Sequence, residues 1–259
     1  MTDTAANAPA TVPERGSKLA RVAFIAAIIA VLAIPAMTAG RYAGLWSPVN
    51  ALPSLLAFLI TFFASILAVV LGLIGVLRRK DRPWSASPVQ RSLIALGLGL
   101  VIVATIGTFI AGGAKYPPIH DITTDITNPP VYVALQIERD AMKAPNTTAY
   151  DPAVGEKQKQ GFPDLGPKIL PVPTGEAFNK ALEAAKAMGW RIAAAEPAEG
   201  RIEGVDTTFW AGYIDDIVIR ITAIDEGQSR IDVRSVSRVG GGDAGTNGKR
   251  IQKYLATLN

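Results

Sequence analysis

The chain has no cysteine, a single histidine, and only 7% aromatic residues among its 259 positions. Without thiols it forms no disulfide, iron–sulfur cluster or thiolate zinc site, and an oxidising compartment is harmless to its fold. One imidazole unsupported by thiolates is a thin basis for zinc, so no metal and no cofactor is expected. Charge is missing in three places: residues 22–39, 52–77 and 92–111 carry no acidic or basic side chain. Each run is close to or above the ~20 residues that cross a bilayer as a helix. None shows the polar stripe of a helix buried in a water-soluble core.

Three membrane spans are therefore expected. Arg15, Lys18 and Arg21 precede the first, which gives it some character of a secretory signal. PAMTAG behind it is a poor cleavage site, which favours a retained span. Only Arg41 stands between the first and second runs, whereas Arg78, Arg79, Lys80, Arg82 and Arg91 stand between the second and third. Cationic loops stay in the cytoplasm, so the N-terminus is expected inside and everything after Lys115 outside. The expected address is the cell inner (plasma) membrane, multi-pass, with a periplasmic or other extracytoplasmic domain.

The net charge of +4 divides unevenly. Residues 1–114 hold 9 basic and 3 acidic side chains, a balance of +6, and residues 115–259 hold 17 and 19, a balance of −2. Basicity belongs to the anchor, and the domain beyond it has no cationic field for a polyanion, which argues against nucleic acid as a partner.

Composition divides the chain into a disordered tail (1–17), a three-helix anchor (18–114), a proline-rich strap and linker (115–173) and an α+β domain (174–259). The strap is expected to hold a short helix within 131–150 and an irregular arm over 152–173. In the domain, Phe178, Ala181, Leu182, Ala185 and Met188 recur at helical spacing before Gly189. Strands are expected at 190–195, 201–209, 215–224 and 229–238, then a helix from about Gly248 with Ile251, Tyr254, Leu255 and Leu258 inward. The expected architecture is three transmembrane helices followed by a helix, a four-stranded antiparallel meander and a helix, both helices on one face. Alternation of Ile217, Ile219 and Ile221 with Asp216, Val218 and Arg220 registers this third strand on the fourth. A three-residue turn, Asp225-Glu226-Gly227 with glycine left-handed, sets Arg220 opposite Asp232 and Val218 opposite Arg234.

The ordered series YPPIHDITTDITNPP, FPDLGP, GWRI, RIEG, DDIVIRI and IDVRSVSRVGGGDAGTNGKRI resembles the domain of unknown function 1499, found in bacteria and plant plastids. The resemblance covers residues 116–258 and implies a shared fold, but no activity. Gly242 and Gly248 stand where that family usually carries bulkier residues.

Four candidate sites follow. SVSRVGGGDAGTNGKRIQKYL resembles a phosphate loop, but Asp243 occupies the first glycine position and Arg250 replaces the magnesium-binding hydroxyl, which excludes a nucleotide. Asp243 or Asn247 is expected to cap the last helix instead, with Arg238, Lys249 and Arg250 near it, and Asn247, able to bind a lipid head group or other small anion. Arg220, Arg234 and Arg238 form a second anion candidate, or an exposed ion-pair ladder with Asp216 and Asp232. If carboxylates satisfy these arginines, no valence remains for a ligand. His120 is expected to dock the strap by hydrogen bonds; with Asp121 and a serine such as Ser235 it is also the candidate for a hydrolase or metal-dependent enzyme. The spans hold no ionisable group at depth, which argues against transport. The leading expectation is a non-enzymatic module that binds an envelope protein, lipid or glycan.

Overall fold

The structure is a computed structural model that describes residues 15–79, 82–84 and 86–258. The expected disordered tail lies outside the described residues up to position 14; positions 15–17 belong to the first helix. The chain divides into two units, 1–34 with 56–106, and 35–55 with 107–259.

The first unit holds most of α1 (Arg15–Tyr42), α2 (Leu52–Leu77) and α3 (Ser87–Gly113), whereas residues 35–42 of α1, 52–55 of α2 and 107–113 of α3 belong to the second unit. All three are long and apolar enough to cross a membrane. Ala23, Ala26, Ala27, Ala68 and Ala95 make its small inner seam. Small residues let the backbones close in: a Cβ on Gly72 would lie 2.8 Å from the Ser92 carbonyl, and one on Gly99 2.8 Å from that of Ser65. Leu56, Phe63, Val101 and Ile94 point outward, an arrangement that water penalises and hydrocarbon does not.

The second unit contains one antiparallel sheet of six strands. They are β1 (Asp121–Thr123), β2 (Lys168–Leu170), β3 (Arg191–Glu196), β4 (Arg201–Thr207), β5 (Ile214–Ala223) and β6 (Ser229–Ser237). The expected meander β3–β4–β5–β6 is present, but β1 and β2 extend it by pairing along β6. Three-residue strands are too short to show alternation, so the sequence pattern missed both. Register on β5 and β6 is as the alternation predicts, with Arg220 opposite Asp232 and Val218 opposite Arg234. The turn differs in one respect. Gly227 is outside the left-handed region, and the Asp225 carboxylate shapes the loop by accepting the Gly227 N–H at 2.8 Å.

Two helices, α6 (Thr174–Ala187) and α7 (Thr246–Thr257), pack on one sheet face. The core there joins Phe178, Ala181 and Ala185 to Ile202, Ile217, Ile219, Ile231, Val233 and Ile251, and Trp190 stacks on Tyr254 at 5.0 Å. The other face is covered by α4 (Ala134–Met142), the short helix expected within 131–150, with Tyr132 and Leu135 on Val205, Val218 and Val236. The irregular arm is in fact α5 (Pro152–Gly161) and β2. Asp151 caps α5 by accepting the Ala153 N–H, and Pro152 fits its first turn, which needs no N–H from that residue. Its Lys- and Gln-rich sequence buries only Gly155 and Gln158, so no apolar period betrayed the helix.

Candidate functional site

Strand alternation sends successive side chains to opposite faces. One face of β5 and β6 therefore carries Asp216, Val218 and Arg220 beside Asp232, Arg234 and Val236, and Arg238, one residue past β6, continues it. An exposed ladder is expected there; the structure corrects this, because α4 and its flanking strap cover the face. Asp216 and Asp232 are 0% exposed, Arg234 2% and Arg238 1%.

Burial forces each of these charges to find partners. Asp216 binds two arginines: Arg139 Nη1 donates at 2.5 Å, and Arg238 donates from Nε and Nη2 at 2.9 and 2.7 Å. Glu138 joins Arg238 to Arg191 at the rim. Arg234 grips Asp121 as a fork, with Nε and Nη2 at 2.9 and 2.7 Å, and donates to the carbonyls of Pro130 and Thr148. The rings of Tyr132 and Tyr150 flank its guanidinium at 5.4 and 5.3 Å. Burial pulls the Arg234 pKa down, but the Asp121 carboxylate more than restores it, so the net direction is up. Burial pushes Tyr150 up to about 12 and Tyr132 well above its ordinary range. Arg220 and Arg230 share Asp232 and Asp125 at 2.9–3.0 Å.

Glu203 has a different task. Its carboxylate accepts the N–H groups of Val133, Ala134 and Leu135, capping α4 from a neighbouring strand, and Arg201 balances its charge. Arg139 and Glu203 escaped the sequence reading. A signal for Arg139 existed, since it lies four residues after Leu135 and so shares the buried helix face.

On the opposite face Arg250 of α7 donates to Asp206 at 2.8 Å and Asp215 at 2.6 Å, and also to Ser235. The Ser235 hydroxyl donates to Asn247 Oδ1 at 2.6 Å, and the Asn247 amide donates to the His120 carbonyl and to Ser237 Oγ. Ser237 N–H donates to the same His120 carbonyl at 3.0 Å, so His120 ties strap to sheet through its backbone. Asp121 pairs with Val236 and shares its face, while Ser235 faces the other way. Of the three candidates for a catalytic triad, Asp121 and Ser235 stand on paired strands and His120 just before the first of them, yet the carboxylate and the hydroxyl lie on opposite sides of the sheet. Among the described residues no group of three or more histidines and carboxylates is placed to hold a metal ion.

The glycine-rich turn links β6 to α7. Gly245 adopts φ +81°, a backbone that favours glycine, and a Cβ there would lie 2.6 Å from the Tyr116 ring. Asp243 accepts the N–H groups of Gly245 and Asn247 at 2.8 and 2.7 Å, capping α7. Burial raises its carboxyl above the usual range, and these N–H groups only partly oppose that. Beside this cap lies a cavity of about 160 Å³, walled by Thr208, Tyr213, Asp215, Ser237, Asp243 and Thr246 among others.

These features define a class: an α+β sheet domain with a charge network buried under a helical strap, carried behind three helices apolar enough to cross a membrane. Residues 121–258, more than half of the chain, match the family model described as "Protein of unknown function (DUF1499)", and the chain belongs to that family. Neither the curated proteins nor the solved structures yield a match to it.

Proposed function

We propose that this chain is an integral protein of the cell inner membrane whose domain stands on the periplasmic or extracytoplasmic side and works as a binding module for an envelope protein, lipid or glycan. The five cationic residues between the second and third spans support the orientation. Binding rather than catalysis is favoured by one observation: the Asp121 carboxylate is held by Arg234 on the face opposite Ser235, so this carboxylate and this hydroxyl do not converge on one site. Arg220, Arg234, Arg238 and Arg250 serve the scaffold in this reading, because internal carboxylates already occupy them. A place for a ligand or partner group is the cavity at the glycine-rich turn, where hydroxyls and carboxylates offer hydrogen bonds within a space of about 160 Å³.

A phosphatase reporter fused after Asn259 should be active, and a silent one would overturn the orientation. For the site, intact protein extracted in mild detergent is compared by native mass spectrometry with Thr246→Trp, whose indole fills the mouth of the cavity from an exposed position. A co-purifying species carried by the wild type should be lost from the variant. Equal retention by both proteins sinks the assignment of the cavity.

A further inference from the structure

The connection between β4 and β5, Thr208-Phe209-Trp210-Ala211-Gly212-Tyr213, takes no part in the charge network and buries only Ala211 among its hydrophobic side chains. It is a closed turn, with Thr208 N–H on the Tyr213 carbonyl at 2.8 Å and Gly212 N–H on the Thr208 carbonyl at 2.6 Å. Its tip presents Phe209 at 76% and Trp210 at 39% exposure, large apolar rings that a water-facing turn has no reason to display. The turn is fastened to the end of α1. Thr38 Oγ1 donates to the Trp210 carbonyl at 2.5 Å, Tyr42 Oη to the Phe209 carbonyl at 3.4 Å, and the Tyr42 and Phe209 rings lie 6.1 Å apart. Gly212, at φ +63°, leaves room for the Arg41 guanidinium directly over the turn.

The depth of this junction follows from α1 itself. Its charge-free run ends at Ala39, and Arg41 is the first charge beyond it. A guanidinium is expensive in hydrocarbon, so the turn of helix from Thr38 to Tyr42 stands at the boundary between acyl chains and headgroups. Anything hydrogen-bonded to Thr38 and Tyr42 shares that level. Aromatic rings concentrate at this boundary because an apolar body and a polar rim are both satisfied there. Tyr42, Trp46, Phe209, Trp210 and Tyr213 are gathered in this small region, with Leu45 71% exposed beside them. Trp46 lies over Gly40 in the same segment.

We infer that residues 208–213 are a membrane-interface anchor: Phe209 and Trp210 dip into the outer headgroup layer of the lipid bilayer and, with Tyr42 and Leu45, hold the sheet domain down on the membrane at the exit of the first span. This inference rests on the membrane reading of α1. It makes the bilayer surface a second contact of the domain, besides its covalent link through α3, and limits its tilt. It also carries the cavity close to the surface, since Thr208 and Tyr213 belong to both the anchor and the cavity wall.

The chain has no native cysteine, so single spin labels are readily placed. Three full-length variants, Phe209→Cys, Asp225→Cys and Leu67→Cys, are labelled with a nitroxide and reconstituted in vesicles of phosphatidylethanolamine and phosphatidylglycerol. All three positions are exposed, so labelling spares the core. Collision rates with oxygen, which enriches in lipid, and with a nickel chelate, which stays in water, report depth. The oxygen-to-nickel ratio at 209 should be several-fold higher than at 225 and lower than at 67. A ratio at 209 equal to that at 225, with 67 still deep, overturns the anchor and leaves the spans in place. A water-like ratio at 67 overturns the membrane reading and the anchor with it. Low accessibility of 209 to both reagents means that protein covers the turn, and this too overturns the lipid assignment.

Discussion

Replacing Asp216 by asparagine removes one negative charge from between two arginines and almost no volume. Arg139 and Arg238 have side chains 2% and 1% exposed, and both aim at this carboxylate, which is itself 0% exposed. Breaking a buried ion pair by removing one partner costs about 3–5 kcal/mol, because the remaining charge stays desolvated. Here two cations lose their anion, but each keeps something: Arg139 still donates to the Asn146 carbonyl at 2.7 Å, and Arg238 to Glu138 at 3.1 Å. The amide oxygen that replaces the carboxylate can still accept a hydrogen bond. The cost should therefore fall at about 3–5 kcal/mol rather than double that, a large share of the ~5–15 kcal/mol that holds a typical domain. Urea unfolding of the full chain in detergent, followed by near-ultraviolet circular dichroism, measures it. Trp190 stacked on Tyr254 reports tertiary packing from the far side of the sheet, so a loss there means cooperative unfolding. Glu156→Gln is the reference, an exposed pair with Lys159 expected to change stability by less than about 1 kcal/mol. Adding Arg139→Met to Asp216→Asn should recover part of the loss, since it removes an orphaned cation. A loss below about 1 kcal/mol for Asp216→Asn would refute the view that this network is buried and mutually dependent.

Other consequences follow from the same geometry. Arg234→Lys keeps the charge but loses the fork on Asp121, and should cost about 1.5–3 kcal/mol in the same titration. Gly245→Ala forces a left-handed alanine against the Tyr116 ring and should cost at least about 1–2 kcal/mol, while Gly241→Ala, with open space around it, should stay within about 0.5 kcal/mol. Burial alone would raise the Asp125 carboxyl, but the N–H groups of Asn128 and Thr127, and then Arg230 and Arg220, hold it below the usual carboxylate range. A folded pKa below the unfolded one adds stability that is full above about pH 4 and is lost as pH falls through the folded value. Asp125→Asn should accordingly flatten the acid limb of a plot of urea midpoint against pH. An unchanged slope would show that Asp125 contributes nothing to it.

How much of this was legible beforehand depends on the distance over which each signal acts. The hairpin of β5 and β6 was readable to the residue because its register rests on alternation between positions two apart and on a turn of three residues. The helix over Thr174–Ala187 was readable from apolar spacing, and the cap of the last helix from a carboxylate shortly before it. The short strands β1 and β2 were not, since three residues contain no period. Nor was α5, whose polar sequence buries only Gly155 and Gln158. The arginine face was located correctly but given the wrong environment. Its partners Asp121 and Arg139 lie 113 and 77 positions from the residues they bind, and no local pattern reports such a pairing.

By itself, then, the sequence determined three apolar helices, the division of charge between anchor and domain, and the pairing order of the central meander. Each depends on composition or on neighbours within one or two turns of chain, where helix and strand periods act directly. Only the tertiary structure decided what became of the charged face. The strap from Pro130 to Tyr150 crosses it, and burial converts an ion-pair ladder worth little in water into a network in which every charge must be matched. The same packing sent Asp121 and Ser235 to opposite sides of one sheet and brought the turn at Phe209 and Trp210 to the end of the first helix.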